Sequence, residues 1–173
     1  MERIGSYILQ QDRVLSLYNL PNLRSPMLRV TVQQEAFDPY EEMNRHQESL
    51  PQGKYGAAVS FIGSLRDFNE GDEVSSMYLE HYPGMTERSL EQVCRDASEK
   101  WDILNTLVIH RVGELHPGEA IVLVGVWSEH RSQAFDACRY IINELKTRAP
   151  FWKRETTLAG YRWVERNTDD HSI

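Results

Sequence analysis

Residues 106–155 read TLVIHRVGELHPGEAIVLVGVWSEHRSQAFDACRYIINELKTRAPFWKRE. Two periodicities meet in this stretch. Residues 106–112 alternate as a strand, and His116, Pro117 and Gly118 turn the chain into a second strand over 120–127. The period then changes. Phe135, Cys138, Ile141, Ile142 and Leu145 recur at helical spacing, which predicts a helix with Ser132 near its start and its end before Pro150. A strand pair around Trp152 and Trp163 is expected to close the domain.

Working upstream, Leu90, Val93, Cys94, Ala97 and Trp101 mark an earlier amphipathic helix, with Thr86 as its expected cap. Residues 74–82 read as a strand stopped by Pro83 and Gly84. Residues 66–73 read as a polar loop with a turn at Asn69–Gly71, and residues 57–62 as a short buried strand ended by Gly63. A strand over 28–32 and a polar helix over 38–48 come before these. From residue 74 the order strand, helix, strand, strand, helix, strand is the split βαβ pattern of an α+β domain. Residues 1–28 keep no apolar period and are punctuated by Asn19, Pro21, Asn22, Ser25 and Pro26. They read as an N-terminal extension to one domain over 29–173.

A chain of 173 residues buries about 70% of its unfolded surface and needs no disulfide or metal staple. Its 19 cations against 26 carboxylates, net −7, argue against a nucleic-acid coat, whose footprint is basic. No stretch approaches the roughly 20 apolar residues of a membrane span. The N-terminus lacks the apolar region of a signal peptide. Cys94 and Cys138 are too few and too far apart for a disulfide framework, so a cytoplasmic protein with reduced thiols is expected. Both fall on helical apolar stripes, where a thiol packs as a small hydrophobe. The six histidines are scattered without HExxH or Cys–His spacing, so no metal site is expected. GxGxxG and GxxxxGK[ST] are absent as well.

The acid is unevenly spread. Between Lys146 and Arg154 stand four cations, Lys146, Arg148, Lys153 and Arg154, and no carboxylate. Pro150 puts Lys146 on a last helical turn and Lys153 on the next strand, with Trp152 as a possible apolar wall. A lysine among cations beside such a wall loses proton affinity, and its amine becomes usable. The plainer reading is a set of solvated helix-end lysines that complement the macrodipole. His130 and Arg131 open the second helix, where cations call for a compensating anion. His110 and Arg111 should face opposite sides of their strand, one of them half-buried and structural. Glu80 and His81 must likewise diverge, which argues against a paired role.

The segments LRDFNEGDEV (65–74), LEHYPGMTE (79–87), IHRVGELHPGE (109–119), SEHRSQAF (128–135) and LKTRAPFWKRE (145–155), with GYRWVE (160–165), closely resemble the catalytic subunit family of molybdopterin synthase. The resemblance runs in order over about residues 30–166. It implies an α+β chain with the α/β hammerhead fold and a smaller antiparallel β subdomain. It also implies a homodimer of this subunit within a heterotetramer, with a small ubiquitin-like sulfur carrier at each end. The carrier's C-terminal Gly-Gly thiocarboxylate would enter a pocket of this chain. Two sulfurs would pass to cyclic pyranopterin monophosphate, a pterin phosphate, to make the molybdopterin dithiolene, with no metal or organic cofactor. The family's pocket residues correspond to Arg66, His130, Arg131, Lys146 and Lys153, with Arg154 and Glu155 completing the last motif. Lys153 is then the expected central catalytic group, and Lys146 orients substrate or shares that role. Glu155 is expected to pair with one of the lysines. Sulfur borne by a partner also fits a chain whose own thiols are packed away. A non-enzymatic module that docks a ubiquitin-like tail or an anionic ligand is the rival reading, and a nucleic-acid binder a distant third.

Overall fold

A computed structural model describes residues 27–69, 71–158 and 160–164, and the expectations for residues 1–26 and 165–173 lie outside them. In chain order the elements are β1 (Met27–Gln33), α1 (Pro39–Glu48), β2 (Ala57–Ser64), β3 (Phe68–Asn69), β4 (Asp72–His81), α2 (Met85–Lys100), β5 (Ile103–Arg111), β6 (Gly113–Leu115), β7 (Ala120–Ser128), α3 (Arg131–Arg148), β8 (Phe151–Thr157) and β9 (Gly160–Val164). The α+β class expected from the sequence is the one observed.

The 106–127 hairpin forms the centre of the first sheet, whose order is β1-β5-β7-β2. β1 runs parallel to β5, and the other pairs are antiparallel. Both faces of this sheet are covered. Val108, Val122, Val124 and Val126 pack under Leu90, Val93 and Cys94 of α2 and Ala134, Cys138 and Ile141 of α3. Leu107, Ile109, Leu123 and Trp127 pack on the opposite face against Leu50, Phe37 and Met43. Burial of each such side chain contributes about 1.5–3 kcal/mol. The expected alternation of residues 106–112 therefore fails, because a strand buried on two faces is apolar at both parities. His110 and Arg111 are both buried.

The six elements expected as one split βαβ unit are divided between two sheets. β5 and β7 stay in the first, whereas β4 and β8 leave it and pair with each other antiparallel. They form a second sheet of order β3-β4-β8-β9, with β6 also on β4. Met77, Leu79, Leu115 and Leu65 make its core. Four local expectations also change. Residues 66–73 are a hairpin in which Phe68 and Asn69 pair with Glu73 and Asp72. β2 runs past Gly63 to Ser64. α2 is capped by Gly84, at φ 78°, whose N–H donates to Glu87 Oε2 at 2.6 Å. Thr86 lies inside the first turn, accepting from Tyr82 N at 3.1 Å and donating to the Pro150 carbonyl at 3.3 Å. On α3 the buried stripe is Ala134, Ala137, Cys138, Ile141 and Leu145, and Phe135 is 59% exposed, one residue off that stripe.

Candidate functional site

The strand register sorts the second sheet into two faces. Leu79 lies opposite Lys153, Met77 opposite Glu155 and His81 opposite Phe151. Across β9, Val164 faces Lys153 and Arg162 faces Glu155. Because side chains alternate along a strand, Phe151, Lys153 and Glu155 point inward with the buried Met77 and Leu79. Trp152 and Arg154 point out.

Of the inward residues, Met77, Lys153 and Glu155 line a cavity together with Arg66, Phe68, Asn69 and Ile121. The hairpin brings Arg66 over the Phe68 ring, 5.0 Å from its centroid. Lys153 is part-buried, and its proton affinity is lowered by that burial and then by the positive charge of Lys146, with Glu155 acting in the opposite sense. Helix end and strand thus place the two lysines within electrostatic reach, as the sequence spacing suggested. The wall is different. Trp152 is 50% exposed on the outer face; the aromatic that lines the cavity is Phe68, and Phe151, on the lysine's face of β8, is stacked on His110 with centroids 3.9 Å apart and planes at 16°.

Glu155 is 5% exposed. It was expected to pair with a lysine, and it acts on Lys153 electrostatically. Its closest ion pair is with Arg162 Nη2 at 2.8 Å, and it also accepts from Asn69 Nδ2 at 2.7 Å. Arg162 Nη1 reaches Asp72 at 2.9 Å. This network fastens the Arg66 hairpin to β8 and β9. Nothing in the sequence alone marks Asn69 or Arg162 as a site residue. Pairing the alternating 160–164 segment against 153–157 is the signal that would have found Arg162.

His130 and Arg131 are not brought to this cavity. They line a separate exposed concavity with Gly56, Glu129 and Ser132 at the start of α3. The corner is tightly built. Gly56 N donates to the Ser128 carbonyl at 3.0 Å, and a Cβ on Gly56 would sit 2.6 Å from the Glu129 carbonyl oxygen. Lys146 is sixteen residues further along the same helix, about 24 Å at 1.5 Å per residue. Arg154 is apart from both groups. Its guanidinium lies on the outer face, 5.3, 5.2 and 5.8 Å from the ring centroids of Tyr78, Tyr161 and Trp163.

Cys94 and Cys138 are buried, and burial pushes each thiol up to about 11. Thiolates are therefore scarce at neutral pH, as a sulfur-carrying or nucleophilic role would not want. Among the described residues no group of three His, Cys, Asp or Glu side chains is placed to hold a metal, and no helix is long and apolar enough to cross a membrane.

Comparison with known proteins agrees with this architecture. The sequence model of the MoaE protein family matches residues 32–148. The molybdopterin synthase catalytic subunit of Pseudomonas aeruginosa is 49% identical over 146 residues, 84% of this chain and 95% of that protein. Among solved structures, a molybdopterin biosynthesis MoaE protein from Burkholderia ambifaria superposes with a TM-score of 0.69 at 42% identity, covering 83% of this chain and 94% of that one. The molybdopterin synthase of Staphylococcus aureus does so with a TM-score of 0.70 at 30% identity, covering 78% and 95%. A match over this much of the chain, at this identity, places it in a family: the chain belongs to the MoaE family, that of the molybdopterin synthase catalytic subunits.

Proposed function

We propose that the cavity between Arg66 and Lys153 is where this subunit transfers sulfur from the C-terminal thiocarboxylate of a small ubiquitin-like carrier to a pterin phosphate. The observation that carries the reading is Lys153, part-buried, depressed in proton affinity and set beside Lys146 in a cavity shared with Arg66 and Glu155. A cation there polarises the thiocarboxylate carbonyl and stabilises the oxyanion that forms on it. The same group as an amine moves a proton. Arg66 offers fork-shaped donors to an anionic substrate. Buried thiols with raised pKa fit a reaction whose sulfur arrives on the partner. Two reduced thiols also suit the cytoplasm, the compartment we assign.

The same reading gives the homodimer a task. His130 and Arg131 stand about 24 Å along α3 from Lys146, further than a pterin phosphate reaches. For these two to hold the phosphate of a substrate at Lys153, they must come from the second copy. Met27 and Leu28 belong to β1 and pair with β5, so the domain begins before residue 29, and Arg154 serves the outer face instead of the cavity. In a reconstituted assay with thiocarboxylated carrier and the pterin phosphate, Lys153→Ala should lower dithiolene formation by at least about 100-fold. Near-normal turnover of the folded variant would refute the role of Lys153.

A further inference from the structure

His110 has no part in the chemistry described so far, yet its ring is stacked on Phe151, two residues before Lys153 on the same strand. It is the penultimate residue of β5 in the first sheet and is 5% exposed. Its ring lies flat on Phe151, the first residue of β8 in the second sheet, at 3.9 Å. Lys153 follows Phe151 by two residues and therefore points from the same face about 7 Å further along. The stack spans the joint between the two sheets, at the inner end of the strand that carries the lysine.

The tautomer of His110 follows from its partner. Nδ1 is 2.8 Å from the Arg111 carbonyl oxygen, which can only accept, so Nδ1 carries the proton and donates. A neutral ring then has no proton on Nε2. The ring is kept neutral by burial above all, with Lys153 and His81 adding repulsion against a second charge; its pKa is pushed down to about 4. The groups facing this region come from every neighbouring element. β4 contributes His81, opposite Phe151, with its Nε2 3.8 Å from Glu87 Oε1 of α2. Lys146 comes from α3, Glu155 from β8 and Arg162, paired to Glu155, from β9.

We propose that His110 is a positioning residue for Lys153: stacked on Phe151, it closes the back of the lysine's site to water. The inference rests on the reading of Lys153 as a reacting group, but its consequence is measurable without the reaction. An amine in a dry site with Lys146 beside it holds its proton weakly, whereas water admitted behind it restores ordinary lysine behaviour. Phenylalanine at 110 can keep the wall dry by stacking on Phe151, and alanine cannot.

The test is competitive acetylation of the full-length chain across pH, read by mass spectrometry at Lys153 with the exposed Lys54 as internal reference. Wild type and His110→Phe should label Lys153 with a titration midpoint below that of Lys54. In His110→Ala and Phe151→Ala the midpoint should rise by about one pH unit, a tenfold fall in amine fraction at lower pH. Phe151→Ala opens the same wall from the second sheet, so the test survives if one alanine variant does not fold. Circular dichroism confirms which variants are native. An unchanged midpoint in a folded alanine variant overturns the proposal, as does a His110→Phe midpoint raised as far as that of alanine. If the midpoints move as expected but Lys153→Ala still turns over, the positioning stands and the sulfur-transfer role of Lys153 falls.

Discussion

At the residue scale, a buried neutral histidine ties stability to pH. His110 has a pKa of about 4 in the folded chain against 6.5 for the ordinary imidazole. Between those values the unfolded state binds a proton that the folded state refuses, so stability falls as pH drops from 6.5 to 4 and is flat above that window. The difference is worth about 3 kcal/mol at full extent. Urea unfolding at pH 7 and pH 4.5 should show a larger loss for wild type than for His110→Phe, and equal losses would remove His110 as the cause. The thiols make a second prediction at this scale. Cys94 and Cys138 sit in the packing between the helices and the first sheet. The double alanine variant should lose stability, by about 1 kcal/mol per deleted sulfur, and keep its sulfur-transfer rate per folded molecule. A folded but inactive double variant would contradict a partner-borne sulfur.

At the scale of elements, the network of Glu155, Arg162, Asn69 and Asp72 holds the hairpin of β3 and β4 against β8 and β9. Arg162→Met leaves the buried Glu155 carboxylate with Asn69 and the field of Lys153, and should cost roughly 2 kcal/mol, below the cost of breaking a wholly buried pair. Arg66 rides on that hairpin while Lys153 does not. KM for the pterin phosphate should therefore rise several-fold with kcat little changed, and amide exchange around Arg66 and Phe68 should quicken. A drop in kcat alone would place Arg162 in the chemistry instead. This network also marks the limit of what could be read in advance. The helices and long strands were legible, unlike the short β3 and β6, because local spacing sets them: Asp38 caps α1 through bonds to Tyr40 N and Glu41 N, and Pro150 ends α3. The lysine pair was legible too, being a helix end joined to the next strand. Which sheet a strand joins was not, since apolar runs such as 120–127 pair equally well with several partners. Trp152 and Phe151 differ by one residue, so only the register with β4 decides which shares the lysine's face.

At the scale of the whole molecule, the cations that the family resemblance groups together fall into two sets, His130 and Arg131 at the start of α3, and Lys146 at its end with Lys153 and Arg66 beyond it. α3 is a continuous helix from Arg131 to Arg148, packed along its length on the first sheet through Ala134, Ala137, Cys138, Ile141 and Leu145. Bringing His130 to Lys146 within one chain would require breaking that helix and exposing its stripe. A two-fold dimer needs no such change, because each copy can lend the start of its α3 to the cavity of the other, and symmetry then builds two identical sites. Subunit complementation decides between the arrangements. One copy carries Lys153→Ala, and the other carries His130→Ala with Arg131→Ala; separate affinity tags isolate the mixed dimer. If the sites are shared, one lacks all three groups and the other is whole, so the mixed dimer should show about half of wild-type turnover although each parent dimer is inactive. If each site is built from one chain, both sites of the mixed dimer are damaged and turnover stays at the level of the parents. Recovery also requires that Lys153 and the His130–Arg131 pair act on the same bound substrate, so the half-activity would join the two cation groups in one pocket.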